Sequence, residues 1–201
     1  MAEKSKFILL VEDAPNVRDF LETTLKFKGY RVVSTQDGRE ALEQISIQKP
    51  SLVVTDILMP RLDGFALAYK LRTNPATCNI PVMILSATYI TPEDRDFAYK
   101  LGIACFMEKP IDVENFLLTI AEILTGEHFS TQPLLSEDEF LAGYRARLEN
   151  KLSYKITQIA RIERLLPALP NVQRPAFESL REQAVRDRDS IHEEIEEIAR
   201  H

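Results

Sequence analysis

The chain has 201 residues, 45% hydrophobic and 28% charged, enough for one ordinary domain and a smaller second element. Its formal charge of -6 excludes a general attraction to nucleic acid or anionic membranes. Neither part is basic: residues 1–126 carry 14 Lys/Arg against 17 Asp/Glu, and residues 127–201 carry 11 against 14.

Chain order begins with the apolar run 7–11, too short before Glu12 for a secretory leader, and no later run is long enough for a membrane span. Cys78 and Cys105 lie far apart without metal-ligand spacing and read as reduced thiols, so the expected location is the cytoplasm. A helix-period segment over 14–28 follows, with Val17, Phe20, Leu21 and Leu25 on one face and Gly29 as its stop. Apolar runs return at 31–34, 52–56, 81–86 and 103–107, separated by helical stretches over 38–48, 63–73 and 92–101 and followed by one over 112–125. Short continuous apolar runs suit parallel strands covered on both faces. Five of them alternating with five helices predict an α/β domain with a doubly wound five-stranded parallel sheet over residues 1–125.

Residues 126–135 have no clean period and read as a linker. Ser136-Glu137-Asp138-Glu139 then forms a capping box, with Leu135 and Phe140 at the flanking staple positions. Beyond it, Leu141, Leu148, Lys155 and Ile162 form one seven-residue series, and Arg145, Leu152, Ile159 and Leu166 a second. Pro167 and Pro170 end this helix. Another opens with Pro175 in its first turn and runs to about Arg200, with a weaker stripe of Phe177, Ala184, Ile191 and Ile198 that Arg181 and Arg188 interrupt. The short connection makes 136–201 an all-α antiparallel hairpin. One seam is marginal for independent stability, so the hairpin is expected to dock on the first domain or to pair with a second copy.

Chemistry-bearing residues gather at the predicted strand ends. Glu12-Asp13 follows the first run, Asp56 closes the third, and Lys109-Pro110 follows the fifth. In an open parallel sheet the carboxyl ends of the strands converge on one crevice, where ligands sit. Three acids and a lysine there suit a divalent cation and an anion together, which points to phosphoryl chemistry. Read singly, Asp13 before Ala14-Pro15 is also a helix N-cap. Asp56 is equally a turn residue, Ser86 a loop serine and Lys109 a solvated surface lysine.

Taken together, Val11-Glu12-Asp13, Val54-Thr55-Asp56-Ile57-Leu58-Met59-Pro60 with Gly64, Ile84-Leu85-Ser86-Ala87 and Phe106-Met107-Glu108-Lys109-Pro110 carry a family resemblance. Residues 7–125 resemble the receiver domain of two-component response regulators, a flavodoxin-like fold. The intervals of 43, 30 and 23 residues between Asp13, Asp56, Ser86 and Lys109 also fit. The resemblance implies Asp56 as the phosphoryl acceptor, and Mg2+ held by Glu12, Asp13, Asp56 and the main-chain carbonyl of Leu58. It further implies Lys109 and Ser86 as partners of phosphate oxygens, a cis Lys109-Pro110 peptide, and Ser86 and Phe106 as switch residues. A core-facing aromatic is the simpler reading of Phe106. Leu58 and Thr88 occupy positions that tune hydrolysis of the acyl phosphate, and an apolar Leu58 suggests a long-lived phosphorylated state. The implied donor is a sensor histidine kinase or phosphotransfer protein.

For the tail the family gives less help. An acidic, glycine-poor hairpin does not suit a compact DNA reader, so the expected output is protein–protein interaction or dimerisation, most simply as a homodimer. No enzymatic activity is expected beyond self-catalysed phosphorylation and dephosphorylation. The alternatives are a DNA-binding transcriptional regulator and a phosphorelay intermediate. His192, on the second tail helix among acidic neighbours, invites comparison with phospho-accepting histidines, but its surroundings match neither known motif and a surface histidine is the simpler reading.

Overall fold

The computed structural model describes residues 6–86, 92–126 and 135–199, except the side chain of Glu93. Thr88, His128, His201 and most of the expected linker lie outside the described residues. The chain divides into two compact units, residues 1–135 and 136–201.

The first unit alternates strands and helices. In order these are β1 (Ile8–Val11), α1 (Pro15–Phe27), β2 (Val32–Thr35), α2 (Gly38–Ile47), β3 (Leu52–Asp56), α3 (Gly64–Thr73), β4 (Val82–Ser86), α4 (Pro92–Lys100), β5 (Cys105–Glu108) and α5 (Val113–Thr125). All five strands are parallel, in the order β2-β1-β3-β4-β5. Alternation along each strand sends Ile8, Leu10, Leu52, Val54, Met83 and Leu85 to one face, where they pack with Leu21 and Leu25 of α1 and Phe116, Ile120 and Ile123 of α5. Leu9, Val53 and Ile84 point the other way and are equally buried. On α3 and α4, Phe65 and Phe97 meet edge to face at 5.4 Å between centroids. A sheet covered on both faces needs strands without polar alternation, which explains the continuous apolar runs.

Caps define the helix ends. Asp37 accepts from the amides of Arg39 and Glu40, Asp63 from Ala66, and Asp112 from Asn115. Gly126 ends α5 at φ 92, a left-handed backbone that glycine adopts freely. The fifth strand begins two residues later than its apolar run: Ile103 is buried in the connection that precedes it.

The second unit is two antiparallel helices, α6 (Glu137–Leu165) and α7 (Arg174–Ile198), joined through a 3-10 turn at Leu166–Ala168. Ser136 caps α6, and Glu139 reaches back to complete the box. The helices are pinned by the Tyr144 hydroxyl donating to Glu194 and by Lys155 Nζ at 2.6 Å from Asp187. The buried set is Phe140, Tyr144, Leu148, Ile159 and Ile162 of α6 with Ala184 of α7. It overlaps the two seven-residue series at Leu148, Ile159 and Ile162 but includes Phe140 and Tyr144, whose rings stack at 5.2 Å, and leaves Arg145 exposed. A straight helix drifts by about 20° per heptad against a strict seven-residue repeat, so the seam migrates from one series to its neighbour.

Candidate phospho-acceptor and metal site

The sheet order reverses between β1 and β3, and at that switch point the crevice opens beyond the strands' carboxyl ends. Strand register decides what faces it. Val11 pairs with Thr55, so the next residues, Glu12 and Asp56, lie side by side. Ser86 pairs with Glu108, and the amide of Lys109 donates to the Ser86 carbonyl at 2.6 Å, which brings the following lysine back over the cluster. The Lys109-Pro110 peptide is cis, as the resemblance implies.

Carboxylate oxygens of Glu12, Asp13 and Asp56 all lie within 4.8 Å of one another, the one such grouping of possible metal ligands among the described residues. Glu12 is 1% exposed and Asp56 6%, whereas Asp13 stands at the rim. Lys109 Nζ sits 2.7 Å from Glu12 Oε2 and 3.2 Å from Asp56 Oδ2. Asp56 Oδ1 accepts from the Ile57 amide at 2.8 Å, leaving Oδ2 toward the lysine. Ser86 is buried at the end of β4. These oxygen donors, without thiolate or imidazole among them, suit a hard cation such as Mg2+.

Electrostatics point the same way. Burial holds the Asp56 carboxyl above the usual carboxylate range, against Lys109 and the amides of Ile57 and Leu58. Glu12 is raised first by burial and also by the Asp56 charge, with Lys109 opposing. Asp13 is raised as well, by loss of water on its cluster-facing side and by Asp56. Burial lowers Lys109, but Asp56 and Glu12 together outweigh it and hold the ammonium above its ordinary value. Three acids that resist ionising together around one cation form a site short of positive charge.

Asp13 is not an N-cap: Ala14 holds that position on α1 and no side chain caps it. Leu58 lies in the β3–α3 connection and is 46% exposed. Phe106 is buried on β5, with the Arg95 guanidinium 5.7 Å from its ring centroid and Arg95 also paired with Glu108. Gly64 admits no side chain, since a Cβ there would lie 2.2 Å from the Asp56 carbonyl oxygen. One contributor escapes the strand-end logic. Arg18, a turn into α1, donates to the carbonyls of Glu12 at 2.7 Å and Asp13 at 3.3 Å and so tethers the acidic pair. Its only signal was a cation one helical turn beyond the acids.

The chain is similar to several regulators. It is 37% identical over 117 residues to response regulator MprA of Mycolicibacterium vanbaalenii, covering 58% of this chain and 49% of that one. It is 36% identical over 124 residues to the probable transcriptional regulator ycf27 of Cyanophora paradoxa, covering 62% and 50%. A gliding motility regulatory protein of Myxococcus xanthus is 38% identical over 108 residues, 54% of this chain and 14% of that protein. The chain thus spans half or less of the length of these relatives. Among solved structures, Vibrio cholerae chemotaxis protein CheY4 matches with a TM-score of 0.55 and 27% identity, over 59% of this chain and 98% of that one. The receiver domain of a Syntrophus aciditrophicus signal transduction histidine kinase matches with a TM-score of 0.57 and 30% identity, over 65% and 97%. With the response regulator receiver domain family matching residues 8–121, and strand order, acidic crevice and lysine agreeing with it, the chain belongs to the response regulators of two-component systems.

Proposed function

We propose that residues 1–125 accept a phosphoryl group on Asp56 from a sensor histidine kinase or phosphotransfer protein. A helical hairpin at 136–201, joined by a linker at 126–135, carries the signal onward. The observation that supports this most is the lysine held between Glu12 and Asp56 in a crevice of three carboxylates. Receiver domains in general bind Mg2+ at such a pocket. Here Glu12, Asp13, Asp56 and the Leu58 carbonyl would hold it, and when bound it neutralises the carboxylates and the incoming phosphoryl oxygens.

Asp56 Oδ2 attacks phosphorus as the donor's phosphorus–nitrogen bond breaks, the electron pair leaving with the donor imidazole and an acyl phosphate forming on Asp56. The Ile57 amide keeps Oδ1 engaged, so one oxygen is presented. Lys109, already cationic, pairs with a phosphate oxygen, and the Ser86 hydroxyl donates to another. Phe106, beneath Arg95, is the side chain suited to change rotamer with Ser86 as switch. A half-exposed, apolar Leu58 offers an attacking water no polar partner and favours a long-lived acyl phosphate.

The homologous proteins are signalling proteins rather than ordinary enzymes, and the output proposed here is dimerisation through the hairpin. Its acidic balance argues against DNA as the partner. No described helix is long and apolar enough to cross a membrane. His192 is exposed, 3.4 Å from Glu196, which fits a solvated helix face. The test is incubation with acetyl phosphate and Mg2+ followed by intact-mass measurement. One phosphoryl group is expected on the wild type and none on Asp56→Ala; labelling that persists in the variant, or without Mg2+, would overturn the assignment.

A further inference from the structure

The connection from β3 to α3 carries Leu58, and it is fastened to a helix that contributes nothing else to the crevice. Arg61 is the one described non-glycine residue with positive φ, at 68°. Its guanidinium pairs with Asp37 and lies 2.9 Å from Glu40 Oε1. Asp37 is completely buried, and its Oδ1 is committed to the amides of Arg39 and Glu40 at the start of α2, so Oδ2 is left for the arginine. Glu40 Oε2 in turn accepts from the Gln36 amide at 3.1 Å. The next residue repeats the attachment in backbone: the Gly38 amide donates to the Leu62 carbonyl at 3.0 Å, and a Cβ on Gly38 would lie 2.7 Å from that oxygen. The Gly64 amide closes the connection onto the Ile57 carbonyl at 3.0 Å.

This is more than a surface ion pair. A half-exposed arginine paired with exposed acids contributes little, but here one partner is a fully buried carboxylate for which Arg61 supplies the counter-charge among the described residues. Glycine would take a φ of 68° without strain, so the backbone by itself does not call for arginine. What the side chain adds is a fixed distance between α2 and a short connection whose ends are already set by β3 and Gly64. Leu58 lies three residues before it, inside that closed connection.

We propose that Arg61 is a positioning residue for the cation site, holding the Leu58 carbonyl in place by clamping its connection to Asp37 and Glu40. The inference rests on the Mg2+ reading above. Groups that orient a ligand without touching the metal typically change affinity by about 10–100-fold. The lower end is expected here, since Arg61 acts through backbone and one ligand of four.

The experiment is a Mg2+ titration of the full chain followed by amide chemical shifts, on wild type, Arg61→Gly, Asp37→Asn and the double variant. Arg61→Gly keeps the backbone conformation accessible, and asparagine keeps the cap on α2 without leaving a buried charge. The dissociation constant should rise about tenfold in each single variant. The double variant should be no weaker than the weaker single one, because both cut the same clamp. An Arg61→Gly constant within twofold of wild type overturns the proposal, even if its thermal midpoint falls, because a merely structural role would move only the midpoint. Losses that multiply in the double variant overturn it too. A wild type whose residues 12, 13 and 56 do not respond to Mg2+ defeats the parent reading itself, and that result is distinguishable because it needs no variant.

Discussion

The two units of this chain solve the burial problem differently. Among the described residues, the first unit buries 34 hydrophobic residues and exposes seven large ones, whereas the second buries six and exposes five. A five-stranded sheet with helices on both faces hides nearly all its apolar surface and can hold charged groups rigidly at one edge. Two helices with a single seam cannot. The difference teaches where to look for chemistry and where for association: a crevice with buried acids in the first unit, and a surface with Tyr154, Ile156 and Leu180 in contact with solvent in the second.

Removing the second unit should have the largest effect. The full chain is expected as a dimer and residues 1–126 as a monomer by light scattering at micromolar concentration; a full-length monomer in both phosphorylation states would break the contrast. Receiver-sized chains stand alone as solved structures, so the truncated piece should fold. Next come the cores. Leu10→Ala should cost about 3 kcal/mol in urea unfolding and Leu148→Ala about 2, the hairpin being freer to collapse around the gap. Equal losses would mean that the seam is as tightly packed as the sheet.

A third test concerns charge. Burial raises the Asp56, Glu12 and Asp13 carboxyls, so they favour the folded state when protonated, below their ordinary values, and that contribution is lost as pH rises through the raised folded values. Asp56→Asn should therefore stabilise the Mg2+-free protein by about 1–2 kcal/mol at pH 7. The gain should shrink as pH falls toward about 4, which denaturant titrations at several pH values would follow. No gain at neutral pH would mean that Lys109 fully offsets the burial. The smallest change is Tyr144→Phe, which deletes the hydroxyl donating to Glu194 and should cost about 1 kcal/mol, all of it in the hairpin transition.

Legibility followed the same divide. Strand ends, helix stops and the acids at the switch point were readable because doubly covered strands write unbroken apolar runs, and because parallel strands place their carboxyl ends together. Seven-residue counting found Leu148, Ile159 and Ile162 but passed over Tyr144, whose aromatic body packs while its hydroxyl reaches across. Arg18 and Arg61 were invisible for another reason: each acts on main-chain geometry or on a partner distant in sequence, and a lone arginine on a polar stretch carries no periodic signal.

The pairing of Val11 with Thr55 has a further consequence. Because the acceptor closes a strand flanked on both sides, its amides belong to the part of the molecule that opens last. Hydrogen exchange at Val53–Asp56 should proceed only through whole-domain opening, while α4, on the periphery, exchanges by local excursions. A chain that has lost its sheet cannot retain a receptive Asp56, so any population able to take the phosphoryl group is already a fully folded one.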